Sequence, residues 1–186
     1  MFARVLNAVR WRWRCWRAVA HARAATESSL SRPGIRRVLV VCYGNIYRSP
    51  LVAELIRQRC AGTVDVRSCG FHPRPGRPSP ERHVALCAAR GLDLSSHRSS
   101  VMQAADATWA DLIVLMDRHN WQALQLVGAP AERLAWLGAL DGGPAEIPDP
   151  YGLDDESAAR VLQRLEDCGK RLAIRLGPQQ VSDSSD

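Results

Sequence analysis

The residues best equipped for chemistry lie in the run Val41-Cys42-Tyr43-Gly44-Asn45-Ile46-Tyr47-Arg48-Ser49-Pro50. A cysteine thiolate is a strong nucleophile, and a guanidinium is a planar fork that fits two oxygens of one phosphate. A Cys and an Arg six positions apart recur by chance in a chain this rich in arginine. By itself the pair reads equally as a buried cysteine ending a strand and a surface arginine opening a helix. The neighbours decide. Gly44 permits the positive φ that turns successive backbone N–H groups inward as an anion nest. Ser49 can donate to the sulfur, and Pro50 suits the first turn of a helix, where its missing N–H costs nothing. A helix start adds the positive end of its dipole, which favours both a bound anion and the thiolate of Cys42. A second candidate is Asp149 in Asp149-Pro150-Tyr151-Gly152, a carboxylate placed just before the last helical segment. It reads as an acid–base group or as a turn residue ahead of proline.

These groups need a scaffold. Val38–Val41 is a continuous apolar strand of the kind buried on both faces of a parallel sheet. The loop 42–49 follows, then a helix from Pro50 with Leu51, Val52, Leu55 and Ile56 inward. A strand over 64–68, a Pro/Gly-rich loop over 72–80 and a helix over 81–90 come next. They are followed by a strand over 111–116, a helix over 119–127, a short strand over 133–137 and a long helix over 155–176. This alternation predicts a single α/β domain over 36–178, with a small sheet of about four parallel strands and helices on both faces, Rossmann-like. In such sheets ligands sit beyond the carboxyl ends of the strands, which points to the loop after residue 41.

The flanks read differently. Residues 1–35 hold seven arginines against Glu27, which accounts for the whole net charge of +6 and leaves the domain neutral, poor material for binding nucleic acid. Phe2, Val5, Leu6, Val9, Trp13 and Trp16 recur at helical spacing, so residues 1–24 read either as an interfacial helix with weak membrane-surface contact or as a poorly ordered extension. The second reading is preferred. Residues 25–34 read as a linker and 179–186 as a disordered tail. Six cysteines without a CxxC pair, and no long apolar run, point to reduced thiols and a cytoplasmic protein. His72, His83 and His97 lack ligand-like spacing with cysteine, so no metal is expected, and no Gly-x4-Gly-Lys motif marks a nucleotide site. No cofactor is expected.

The run Val41–Pro50 resembles the signature V-C-x-G-N-x-C-R-S-P of the low-molecular-weight protein tyrosine phosphatases. Further matches follow in the family's order: Val66-Arg67-Ser68-Cys69-Gly70, Gly91-Leu92-Asp93-Leu94-Ser95-Ser96-His97, Leu115-Met116-Asp117 and Asp149-Pro150-Tyr151. The resemblance implies a phosphate-binding loop of Tyr43, Gly44, Asn45, Ile46, Tyr47, Arg48 and Ser49. It implies Cys42 as nucleophile, Arg48 as phosphate clamp and Asp149 as general acid. It further implies that Asn45, Ser49, Ser68 and His97 brace the loop, and that Ile46 and Tyr151 wall the substrate pocket. Family members directed at phosphoarginine carry Thr where this chain has Ile46. The implied substrate is a tyrosine-phosphorylated protein, with a bacterial tyrosine autokinase as a candidate, and the implied reaction needs no metal. One position departs: Tyr47 stands where the family usually has a second loop cysteine, so no vicinal disulfide can protect Cys42, and Cys69 is left as the nearest alternative. Two rivals remain, an arsenate reductase on the same fold and a non-catalytic phosphotyrosine-binding or tethering protein. The scattered cysteines disfavour the first, and the intact Cys42, Arg48 and Asp149 the second.

Overall fold

A computed structural model describes residues 2–177, with side chains from Arg10 onward. The tail expected at 179–186 lies outside the described residues. The helices are α1 (Phe2–Ala20), α2 (Ala22–Leu30), α3 (Arg48–Arg59), α4 (Glu81–Ala88), α5 (Ala104–Trp109), α6 (Arg118–Leu126) and α7 (Asp155–Leu176). The strands are β1 (Arg37–Cys42), β2 (Asp65–Gly70), β3 (Leu112–Leu115) and β4 (Leu134–Trp136). They form one parallel sheet in the order β2-β1-β3-β4.

Strand alternation divides the interior into two cores. From β1, Val38, Val40 and Cys42 face a core built with Leu51, Val52 and Ile56 of α3 and Leu165 and Leu172 of α7. Leu39 and Val41 face the other core, with Ile113 and Leu115 of β3, Leu124 of α6 and Trp136. Both faces being covered explains why β1 reads as an unbroken apolar run. Helix α7 buries Val161, Leu162, Leu165, Cys168, Leu172 and Leu176, and begins where Asp154 accepts the N–H of Ser157 at 2.9 Å. After β1 the chain adds β2 on one side and β3 on the other. The strand order therefore switches between β1 and β3, and a crevice opens beyond their carboxyl ends.

The N-terminal residues depart from expectation. The stretch 25–34 is not a linker: through Leu30 it belongs to α2, which lies on the edge strand β4. Thr26 and Ser29 are buried there. Ser29 Oγ donates to the carbonyl of Leu134 at 2.8 Å, and Trp136 N–H donates to Thr26 Oγ1 at 2.9 Å. A Ser/Thr-rich sequence reads as loop because its hydroxyls compete with helix, but here they satisfy the free backbone groups of a sheet edge. Helix α1 is likewise not a loose extension. Trp11 stacks at 6.0 Å on Trp121 of α6, and Gln122 Nε2 donates to Cys15 Sγ at 2.9 Å, while Trp13 and Trp16 face solvent. Short α5 was not anticipated; a capping box between Gln103 and Asp106 starts it.

Replacing Thr26 by Val keeps the shape but leaves the buried N–H of Trp136 without an acceptor. A loss of about 1–3 kcal/mol is expected in denaturant-induced unfolding. An unchanged midpoint would show that the Thr26–Trp136 bond contributes nothing to stability.

Candidate active site

The loop between Cys42 and Arg48 is held by its carbonyl oxygens. Tyr43 O accepts the N–H groups of Phe71 and His72, each at 2.9 Å. Gly44 O accepts Arg77 Nη2 at 2.6 Å, Asn45 O accepts His97 Nε2 at 2.7 Å and Tyr47 O accepts His83 Nε2 at 3.0 Å. A carbonyl can only accept, so His83 and His97 both carry their proton on Nε2. In a trans peptide the C=O and the following N–H point in opposite directions. Drawing these carbonyls outward therefore turns the N–H groups of Gly44, Asn45, Ile46 and Arg48 inward. The N–H of Asn45 accordingly reaches Cys42 Sγ at 3.2 Å.

The left-handed residue of the loop is Asn45, with φ of 51°, and not Gly44 as expected. Asparagine tolerates this region, and its buried side chain locks it there. Asn45 Nδ2 donates to Ser49 Oγ at 2.9 Å and to Ser68 Oγ at 3.0 Å, while Oδ1 accepts Ser100 N–H at 2.9 Å. Ser49 Oγ, already accepting from Asn45, has its own proton free for Cys42 Sγ at 3.1 Å. At Gly44 a Cβ would lie 3.3 Å from Ile46 Cγ1, a tight contact that the Ile46 side chain would have to yield to. Gly70 is more constrained: a Cβ would come 2.6 Å from Tyr43 O and 2.9 Å from Asn45 N. Strand β2 can thus press against the loop only with glycine at its end.

Arg48 is 1% exposed and sits across the β1/β3 crevice. Its Nη1 donates to Asp117 Oδ2 at 2.6 Å and to Ile147 O at 3.0 Å, and its Nη2 to Asp149 Oδ2 at 2.5 Å. Its Nε is buried without a partner among the described residues, a donor left for a ligand. Burial opposes the charge, but the sulfur of Cys42 and the carboxylates of Asp149 and Asp117 more than offset this, and the guanidinium stays cationic. Asp149 is carried by a loop whose Ile147 N–H donates to Met116 O at 2.8 Å, at the end of β3. Asp117 also caps α6 through Asn120 N–H at 2.8 Å.

Above the loop opens a cleft of about 520 Å³ lined by Cys42, Gly44, Asp149, the apolar or aromatic side chains of Tyr43, Ile46, Tyr47 and Tyr151, and by His72, Arg74 and Arg77, with His72 edge-on to Tyr43 at 5.7 Å. The expected residues Cys42, Asn45, Arg48, Ser49, Ser68, His97 and Asp149 are therefore assembled around one site, with Ile46 and Tyr151 on its wall. Tyr47 packs on His83 at 4.9 Å and meets Tyr151 edge-on at 6.4 Å. Cys69, considered as a partner for Cys42, pairs in register with Val41 and lies in the core on the other face of the sheet, its Sγ 3.3 Å from Met102 Sδ. Burial pushes its thiol well above the usual range. Among the described residues no group of three or more His, Cys, Asp or Glu could hold a metal ion. Sequence reasoning missed Asp117, Gly70, Arg77, His83 and Ser100 as parts of the site; only Asp117, three residues before Asn120, carried a readable signal as a helix cap.

His83 gives this architecture a pH dependence. Burial is the main reason its pKa falls to about 4, with smaller effects from His97 and Arg90, while its bond to Tyr47 O acts in the opposite sense. Because the folded value is depressed, the unfolded chain binds the extra proton first. Stability is then full above the ordinary histidine value and falls as pH drops through the window from about 6.5 to about 4. His83→Gln should flatten the slope of unfolding free energy in that window, and an identical slope would remove His83 as its source.

Comparison with known proteins accords with this geometry. Residues 37–182 match the family model "Low molecular weight phosphotyrosine protein phosphatase". The chain is 40% identical over 134 residues to "Probable low molecular weight protein-tyrosine-phosphatase EpsP" of Ralstonia nicotianae, covering 70% of this chain and 90% of that one. Among solved structures it is similar to the tyrosine phosphatase Wzb from Escherichia coli K30 in complex with sulphate. That match has a TM-score of 0.71 at 30% identity and covers 77% of this chain and 100% of the other. It is also similar to the YwlE arginine phosphatase of Geobacillus stearothermophilus, with a TM-score of 0.68 at 26% identity, covering 76% and 92% of the two chains. With its cysteine loop, buried arginine and facing aspartate, the chain belongs to the low molecular weight phosphotyrosine protein phosphatase family.

Proposed function

We propose that this phosphatase hydrolyses phosphotyrosine in proteins through a cysteinyl-phosphate, without a metal. The observation that carries the reading is that Cys42, its Sγ met by the inward N–H of Asn45, and Asp149 line one cleft, where Asp149 is paired with the buried Arg48. The N–H of Asn45 and the hydroxyl of Ser49 are within donating distance of the sulfur, at 3.2 and 3.1 Å. A phosphate seated in the loop is met by the N–H groups of the phosphate-binding residues and by the unpartnered Nε of Arg48. The thiolate attacks phosphorus in line, the P–O bond to the ring breaks, and protonated Asp149 gives its proton to the departing oxygen. Asp149 then takes a proton from water as that water displaces the sulfur and frees phosphate.

The aromatic side chains of Tyr43, Tyr47 and Tyr151, with Ile46, offer an apolar lining suited to a phenyl ring. Ile46 in place of the threonine implied for arginine-directed relatives favours phosphotyrosine over phosphoarginine. Cys42 is the one cysteine lining the cleft among the described residues, which favours hydrolysis over a thiol-relay reduction of arsenate. The candidate partner is a tyrosine-phosphorylated protein, a bacterial tyrosine autokinase among them, and the proposed compartment is the cytoplasm. Among the described residues no helix is long and apolar enough to cross a membrane.

Cys42→Ser should lower turnover by more than about a hundredfold while phosphate-analogue binding persists, since the loop and Arg48 remain. Activity near wild type would end the nucleophile assignment, and loss of wild-type activity in chelator, restored by zinc, would end the metal-free one. In a panel of phosphotyrosine, phosphoarginine and phosphoserine peptides the first should be hydrolysed fastest.

Asp149→Asn should slow phosphotyrosine hydrolysis by roughly 10²–10⁴-fold. An aryl phosphate with a very acidic leaving group should suffer much less in single-turnover phosphorylation of Cys42. Equal losses would make Asp149 a loop support and no proton donor.

A further inference from the structure

The cleft above Cys42 is lined by cationic side chains that the proposed bond-making steps do not use. Arg74 and Arg77 line it from the loop between β2 and α4, Arg74 exposed and Arg77 half-buried. Among the described residues neither arginine has a carboxylate partner. Asp149 is the one carboxylate lining the cleft there, and it is already engaged by Arg48. The cleft therefore carries two guanidinium charges beyond the one that meets the reacting phosphate.

The loop presenting them is built, not loose. Gly76 N–H donates to Ser99 O at 2.7 Å, Ser99 N–H to Arg77 O at 2.9 Å and Arg77 N–H to Ser99 Oγ at 3.0 Å. Arg77 Nε donates to Arg74 O at 3.1 Å and its Nη2 to Gly44 O at 2.6 Å. Arg74 N–H donates in turn to His72 Nδ1 at 3.2 Å, and Pro73 and Pro75 restrict the backbone on either side. Arg77 is thus committed to the catalytic loop and contributes charge, whereas the fork of Arg74 is left for a partner. A phosphorylated side chain fills the floor of the cleft, and the main chain bearing it stays at the rim. Arg74 is placed to meet what flanks the phosphorylated residue.

We propose that Arg74, backed by the charge of Arg77, is an anion subsite that selects phosphotyrosines flanked by an acidic group, either a carboxylate side chain or a second phosphate. The inference rests on the phosphotyrosine reading above and specifies its substrate class. Recognition is by charge-assisted hydrogen bonds to a planar fork on a pre-ordered loop, so little flexibility is lost on binding.

The test uses three peptides carrying phosphotyrosine between alanines, between glutamates, or beside a second phosphotyrosine. At low salt the wild type should show kcat/KM roughly threefold to tenfold higher on the anionic peptides than on the neutral one, a ratio that shrinks as salt screens an exposed site. Arg74→Ala should bring the ratio close to one through KM, and Arg74→Lys should retain part of it. Preference for only one of the two anionic peptides would identify the carboxylate or the phosphate as the recognised group. A wild-type ratio near one, or a ratio that Arg74→Ala leaves intact, would overturn the subsite. Affinities of the same peptides for Cys42→Ser, which do not depend on turnover, separate failure of the subsite from failure of the phosphatase reading.

Discussion

A planar trans peptide cannot aim its carbonyl and its N–H at the same side, and the loop from Cys42 to Arg48 is organised by that rule. Donors from four places outside the loop hold its carbonyls: the backbone at Phe71 and His72, the guanidinium of Arg77, and the imidazoles of His97 and His83. Each carbonyl so held turns the following N–H inward, and that of Asn45 reaches the sulfur of Cys42. The cradle is therefore maintained from outside the loop, by His83 and His97 and by His72 and Arg77, which also line the cleft. Its one strained point, the left-handed Asn45, is tied by its own side chain to Ser49, Ser68 and Ser100.

The remaining elements fall into place around this requirement. Strand β2 must reach the loop closely enough for its terminal residues to donate, which makes glycine necessary at position 70. Helix α3 must start immediately after the loop, so that Arg48 leaves its first turn and crosses to the end of β3. There Asp117 and the carbonyl of Ile147 fix the guanidinium while Asp149 closes over it. The switch in strand order between β1 and β3 creates the gap that this arginine spans. Cys42 and Arg48, from one loop, and Asp149, from a distant one, thus meet at one crevice.

The N-terminal helices address a different problem of the same sheet. Beyond β3 the last strand, β4, is a short edge with free backbone groups, and the hydroxyls of Thr26 and Ser29 bond to it. Helix α1 continues outward over α6, with Trp11 against Trp121. The arginine-rich end of the chain is in this way attached to the face behind the sheet's edge, and the neutral body of the domain carries the cleft.

Within 36–178 the alternation of strands and helices apart from α5, the parallel sheet, the buried strand β1 and the candidacy of Cys42, Arg48 and Asp149 were legible in the sequence. Apolar periodicity reports burial, and a Cys–Gly–Asn–Arg–Ser–Pro loop between strand and helix permits little besides anion binding. The helical fate of residues 25–30 was not legible, because the partners that β4 supplies to Thr26 and Ser29 lie 105 to 110 positions away. Nor could sequence show that Asn45 and not Gly44 takes the left-handed conformation, since Asn45 is fixed by Ser68 and Ser100, distant in the chain. The direction of the Cys69 thiol, away from Cys42, followed only from the register that pairs it with Val41. Local sequence determined which chemistry was available. Tertiary structure decided which backbone groups face it, because hydrogen bonds between distant segments set the orientation of each peptide plane.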